Sequence, residues 1–183
     1  MAVTIDATVG GASSNSYITL IEANAFNEQN IHDTTWLLLT DDQKNAVIVW
    51  ATRLLDTYML WKGKKATVTQ RLQWPRKYTY YKNTISTWTE DPEYWDSAEY
   101  AIPETIIPDW LKEATAEYAR LLGVSDRAAD NSMAGFKEIT VDVITLKADK
   151  TTIPKQLPNQ ILDMIWYYGR YIRSRNNQLL VRV

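Results

Sequence analysis

Between Trp61 and Lys82 the chain carries seven basic side chains and no acidic one, set among aromatic rings. Lys62, Lys64, Lys65, Arg71, Arg76, Lys77 and Lys82 supply charge that can neutralise phosphates. Trp61, Trp74, Tyr78, Tyr80 and Tyr81 supply flat faces on which bases can stack. Cation and ring together are what sequence-independent binding of a single nucleic-acid strand requires. The competing reading is a connector whose lysines are solvated and whose tryptophans cap a helical core. The overall charge of −2 and the acidic block that follows favour the connector.

Other chemistry is narrowed by what the composition lacks. There is no cysteine and one histidine, His32, in a polar stretch, so thiol nucleophiles, disulfide frameworks and Cys/His zinc sites are excluded. A serine triad would have to recruit His32, and the chain has no nucleophile elbow. The one Gly pair, Gly10-Gly11, belongs to no phosphate-binding or dinucleotide motif. Carboxylates are dense in Glu90-Asp91-Pro92-Glu93-Tyr94-Trp95-Asp96-Ser97-Ala98-Glu99, but a Pro-broken loop offers no apolar pocket to raise one pKa. The expectation is a protein that is not an enzyme and binds no cofactor and no metal. The first basic residue is Lys44 and no apolar run is long enough to span a bilayer, so neither a signal peptide nor a membrane segment is expected.

The elements that would position these groups follow from local signals. A chain of 183 residues is expected to form a single domain. Residues 1–16, small and polar, predict a flexible leader. Capping boxes at Thr19–Glu22 and Thr40–Gln43 open helices over about 19–28 and 41–61, the second with Val47, Trp50, Ala51, Leu54, Leu55 and Tyr58 inward and Gly63 as its stop. Pro108 starts a helix over 108–122, with Leu111, Ala114, Tyr118, Leu121 and Leu122 buried and Gly123 as its end. A last helix over 158–168 buries Ile161, Leu162, Ile165 and Trp166, and Gly169 releases a tail over 169–183. Alternation of Ile139, Val141 and Val143 with polar residues predicts a strand near 136–147, which must pair with the leader, the insert or another subunit. The fold class expected is mainly α: a bundle of about four helices spanning 17–76 and 104–168, with a β-strand or hairpin arm, an aromatic-rich insert over 77–103 and an extended C-terminal tail.

Charge is segmented. Residues 1–60 carry −5, 61–82 carry +7, 83–118 carry −8, 119–168 balance, and 169–183 carry +4. Such blocks are as complementary between neighbouring copies as within one. Eight Trp and eleven Tyr beside two Phe favour surfaces that become half buried between chains. In the insert, Tyr80, Tyr81, Trp88, Tyr94, Trp95 and Tyr100 are candidates for a protein contact. The apolar end of the tail, Leu179-Leu180-Val181, either frays or docks into a partner.

The runs Ser16-Tyr17-Ile18-Thr19-Leu20-Ile21-Glu22-Ala23-Asn24-Ala25-Phe26 and Ala51-Thr52-Arg53-Leu54-Leu55-Asp56, the pair Trp61-Lys62-Gly63-Lys64-Lys65-Ala66 and Gln70-Arg71-Leu72-Gln73-Trp74-Pro75-Arg76, and the helix opened by Ile107-Pro108 resemble tailed-phage head-to-tail adaptor (head-completion) proteins. Some of that family carry a DnaT-like single-stranded-DNA-binding label. The resemblance covers about 16–76 and 104–123. It implies a structural virion protein at the head-tail junction, made in the host cytoplasm. A twelve-membered ring would sit beneath the portal and extend the DNA channel, touching packaged double-stranded DNA transiently and without sequence preference. It assigns the portal contact to the C-terminal tail, Arg170, Tyr171, Arg173, Arg175, Leu179, Leu180 and Val181. The insert, which in the family is usually shorter, would face tail or nozzle proteins. Lys62, Lys64, Lys65, Arg71, Trp74, Arg76, Ile139, Val141 and Val143 are candidates for subunit contacts or the channel wall. The alternative is a single-stranded-DNA-binding protein of a phage replication locus.

Overall fold

The computed structural model describes residues 3–31, 34–82, 101–125, 138–141, 144–147 and 156–172. The element order is α1 (Leu20–Asn27), α2 (Thr35–Leu38), α3 (Asp41–Tyr58), β1 (Met59–Trp61), β2 (Lys64–Lys65), β3 (Arg76–Lys77), α4 (Asp109–Val124), β4 (Glu138–Val141), β5 (Ile144–Lys147), α5 (Asn159–Ile165) and β6 (Gly169–Tyr171). The strands form three antiparallel pairs, β1–β6, β2–β3 and β4–β5. The fold is therefore mixed α/β, which overturns the expectation of a mainly α four-helix bundle. The extra strands were hidden because β1, β2, β3 and β6 are only two or three residues long, and β1, Met59-Leu60-Trp61, is apolar at all three positions, so the buried-exposed-buried alternation it adopts has no counterpart in its sequence.

Both expected capping boxes are present. The Thr19 and Thr40 hydroxyls accept from the backbone N–H of Glu22 and Gln43, whose side chains accept in return from the N–H of Thr19 and Thr40. α4 follows Pro108 and is the central element, contacting α1, α2, α3 and α5. Leu111, Ala114, Thr115, Ala116, Tyr118 and Ala119 are buried along it, with Leu121 and Leu122 half-buried. Its three alanines let neighbouring helices approach closely. Gly123 does not end α4: it lies inside the helix, where a Cβ would come within 2.8 Å of Leu39 Cδ1.

The phase of α3 also differs from its reading. Lys44, Ile48, Ala51, Thr52, Leu54 and Leu55 face inward, Val47 is half-buried, and Trp50 is 42% exposed. Four successive apolar residues, Val47-Ile48-Val49-Trp50, leave periodicity unable to set the phase, and the true stripe contains two polar residues. Thr52 satisfies its hydroxyl on the Ile48 carbonyl (3.1 Å), and Lys44 lays its stem inward with Nζ 5.5 Å from the Trp36 ring. The about 3–5 kcal/mol expected for truncating a buried tryptophan does not apply to Trp50.

Within the expected leader, residues 3–16 form a hydrogen-bonded loop. The Asp6 carboxylate accepts from the Thr8 N–H (3.0 Å) and the Ser13 hydroxyl (2.8 Å), and Asn15 bridges the Asp6 N–H and the Thr4 carbonyl. Ser14, Ser16, Tyr17 and Ile18 are buried. At the other end, Gly169 opens β6 instead of an arm, and Met59, Leu60 and Trp61 pair with Tyr171, Arg170 and Gly169. The strand predicted near 136–147 finds its partner in itself, with Ile139 opposite Leu146 and Val141 opposite Ile144.

Candidate interaction surface

The two halves of the signature between residues 61 and 76 pack on each other. After β1, Gly63 turns the chain at φ +71°, and a side chain there would collide with the Lys77 carbonyl. β2 then pairs with β3, and the Ala66 N–H donates to the Pro75 carbonyl (3.0 Å). Gln70 is buried and holds the intervening loop, accepting from the Thr67 N–H and donating to the carbonyls of Leu72 and Pro75 (both 3.0 Å). Lys65 Nζ donates to the carbonyls of Gln70 and Arg71. The Trp74–Pro75 peptide is cis.

Arg76 closes the unit. Its guanidinium is buried and donates to the carbonyls of Lys62 (2.6 Å), Gly63 (2.7 Å), Gln73 (3.0 Å) and Trp61 (3.3 Å). Trp74 and Trp61 are buried edge to face, 6.0 Å apart, and Trp110 joins them at 5.2 Å from Trp74. Trp74 and Arg76 are therefore scaffold: neither ring nor guanidinium is presented to a ligand.

The scaffold is tied to α3 and the leader through Asp56. This carboxylate accepts from the Tyr17 hydroxyl and from the Gln73 N–H (3.0 Å). Burial pushes its pKa up from 3.8 to about 6, against the opposing pull of those two donors, and burial beside Asp56 pushes the Tyr17 phenol well above its ordinary value. Asp56, Gln73, Arg53, Arg71 and Asn15 line a cleft of about 230 Å³. Because the folded pKa lies above the unfolded one, the unfolded state ionises first and stability falls as pH rises from about 4 to about 6. The gap corresponds to up to about 3 kcal/mol. Asp56→Asn is expected to gain on the wild type by up to that amount between pH 4 and pH 7, measured as the difference in urea midpoints.

What the scaffold displays is a surface of cations and rings from the turn after β1, the segment after β3, and the end of α5. Trp166 is 57% exposed, and Tyr167 stands edge-on to it at 6.0 Å. Lys82 Nζ lies 5.0 Å from the Trp166 ring and Lys62 Nζ 4.5 Å from the Tyr167 ring. Tyr168 turns inward and stacks on Trp110 at 3.8 Å. Its carbonyl accepts the Lys62 N–H (2.8 Å) and its hydroxyl accepts the Lys82 N–H (3.2 Å), so one residue places both lysines. Lys64, Tyr81 and Arg170 are exposed nearby in sequence.

The sequence candidates thus divide. Lys62 and Lys64 are exposed, while Lys65, Trp74 and Arg76 serve the fold; Arg71 is exposed but anchors the leader through the carbonyls of Gly11 and Ser13. Tyr81 is exposed, and Tyr80 is half-buried and bridges to Ala101. Trp88, Tyr94, Trp95, Tyr100, Val143, Arg173, Arg175, Leu179, Leu180 and Val181 lie outside the described residues, as does His32. Arg170 and Tyr171 belong to a paired strand and not to a free tail, and the Tyr171 hydroxyl donates to Gln156 Oε1 (3.1 Å). Trp166, read as inward, is the ring missed; Trp166-Tyr167-Tyr168 are consecutive, and only the stacking of Tyr168 on Trp110 decides which faces in. Asp56 was also missed as a buried acid, since its partners come from 39 and 17 residues away.

Among the described residues no group of His, Asp or Glu is arranged to hold a metal ion, and no helix is long and apolar enough to cross a membrane. No curated protein and no solved structure matches the chain. A family model described as "Putative DnaT-like ssDNA binding protein" matches residues 1–166. That span takes in the capped helices, the signature unit and α5, and the chain belongs to this family.

Proposed function

We propose that the chain is a non-enzymatic structural protein, a head-to-tail adaptor that assembles with copies of itself into a ring and joins a phage portal to tail components. The observation that supports this reading is the inversion of burial around the signature. The motif rings are packed inside, while Ile21, Leu37, Leu38, Trp50, Leu60 and Val68 are exposed. Exposed apolar side chains that gather into a patch are what a protein contact covers, and Leu37 and Leu38 are adjacent. A heterologous ring joins different faces of identical subunits, and the segmented charge suits that geometry.

Since β6 ends at Tyr171, the portal contact proposed for the C-terminal segment is tested by a chain truncated after Ile172, which keeps the β1–β6 pairing. The truncated protein is expected to unfold with the wild-type midpoint and to lose co-sedimentation with portal. Undiminished association would remove the portal assignment, and electron microscopy of full-length protein with portal tests ring closure directly.

A second reading is binding of single-stranded DNA. The family's description supports it more directly than it supports an adaptor, and so do the lysines held over Trp166 and Tyr167. Oligonucleotide binding that weakens steeply with salt is expected under this reading.

A further inference from the structure

We propose that the surface formed by Lys62, Lys82, Trp166 and Tyr167 is a contact site for single-stranded nucleic acid, with bases stacking on Trp166 and phosphates paired with the two lysines. The inference rests on the DNA-binding reading and deepens it by narrowing the basic segment to Lys62 and Lys82 and supplying the stacking rings from the end of α5.

Three observations carry it. First, of the rings in the basic segment Trp61 and Trp74 are buried together with Trp110 against them and cannot stack on a base, Tyr78 and Tyr81 are exposed, and Trp166 adds the one larger indole ring beside a lysine of that segment, with 57% of its surface in water. Second, the two ammonium groups belong to segments twenty residues apart and are brought to successive rings by the backbone and hydroxyl of the single residue Tyr168, itself locked on Trp110. Tyr168 thereby fixes the two backbone positions from which the lysines project, so only their side chains are left to be ordered on binding. Third, the local charge is positive. Lys62, Lys64, Lys82 and Arg170 are exposed on the contributing segments, and Asp163, one turn before Trp166, is the acid on α5 beside them. Rings beside cations suit a flexible strand whose bases are free to turn toward the protein, and they suit a duplex, whose bases are already stacked, much less.

The test is fluorescence anisotropy of a labelled oligothymidylate with the full chain, between about 50 and 200 mM salt. Trp166→Ala is expected to weaken binding by about tenfold or more, and Trp166→Phe to restore most of it. Lys62→Gln with Lys82→Gln should make the slope of log K against log salt shallower by about 1.4, two phosphates' worth for a single strand. Thermal midpoints of all variants are measured alongside, and these exposed positions should leave them near wild type.

If the wild type binds while Trp166→Ala binds equally well and the double lysine variant keeps its slope, the site is elsewhere and this inference is overturned, with the DNA-binding reading intact. Absence of wild-type binding at low salt would overturn both. Equal affinity and equal Trp166 dependence for a duplex, or for an oligoglutamate peptide, would overturn stacking on a single strand in favour of a general anionic dock.

Discussion

Replacing Arg76 with alanine is expected to destabilise the protein by about 3–5 kcal/mol, the cost of leaving two or three buried carbonyls without a donor. Among the described residues the guanidinium makes no ion pair with a carboxylate. Its donors are satisfied by carbonyl oxygens at Trp61, Lys62, Gly63 and Gln73, with a further contact to Gln73 Oε1 (3.2 Å). Burial lowers its pKa, and the nearby Tyr17 and Asp56 act in the opposite direction, so the cation persists at neutral pH. Without it, carbonyls on both sides of the Gly63 turn lose their donor in a space closed to bulk water, at about 1–3 kcal/mol for each group that finds no replacement. Lysine keeps the charge but not the fork that reaches four carbonyls at once, so Arg76→Lys should fall between alanine and wild type. Urea unfolding at neutral pH measures both. A loss below about 1 kcal/mol for Arg76→Ala would mean that the turn is held by its backbone pairing alone.

That arginine shows what was legible in the sequence and what was not. Local signals held wherever the partners lie within a few residues. The boxes at Thr19–Glu22 and Thr40–Gln43 form as read, and Pro108 and Pro158 stand just ahead of α4 and α5. Signals that depend on distant contacts failed in a consistent way. Gly63 was read as the end of α3 because a left-handed glycine after an apolar helix usually is; it serves a strand-to-strand turn instead. Gly169, read the same way, starts a strand pressed against Leu60 and Met59. In the basic segment, residue types alone could not separate a cation that meets phosphate from one that caps carbonyls, nor a ring that meets a base from one that meets Trp110. Both readings need the same chemistry. Only the tertiary contacts sort Lys62 and Lys82 into one group and Lys65 and Arg76 into the other.

Trp74→Ala is expected to be the most damaging single-ring truncation, at about 3–5 kcal/mol and a fall in Tm on the order of 10 °C. The ring is 1% exposed and meets Trp61 and Trp110 edge to face, so its removal opens a cavity between β1, the signature loop and the start of α4. The position therefore separates the two roles that the sequence left open. A base-stacking residue on a surface loses ligand and keeps the fold when truncated; a packed residue does the reverse. Trp166→Ala, and Trp50→Ala on the exposed side of α3, should shift Tm by far less, since both rings already lie largely in water. Differential scanning calorimetry of the three variants gives the ranking directly. If Trp74→Ala melts with the wild type while Trp166→Ala collapses, the signature unit is not the scaffold described above, and the surface built on Tyr168 loses its foundation with it.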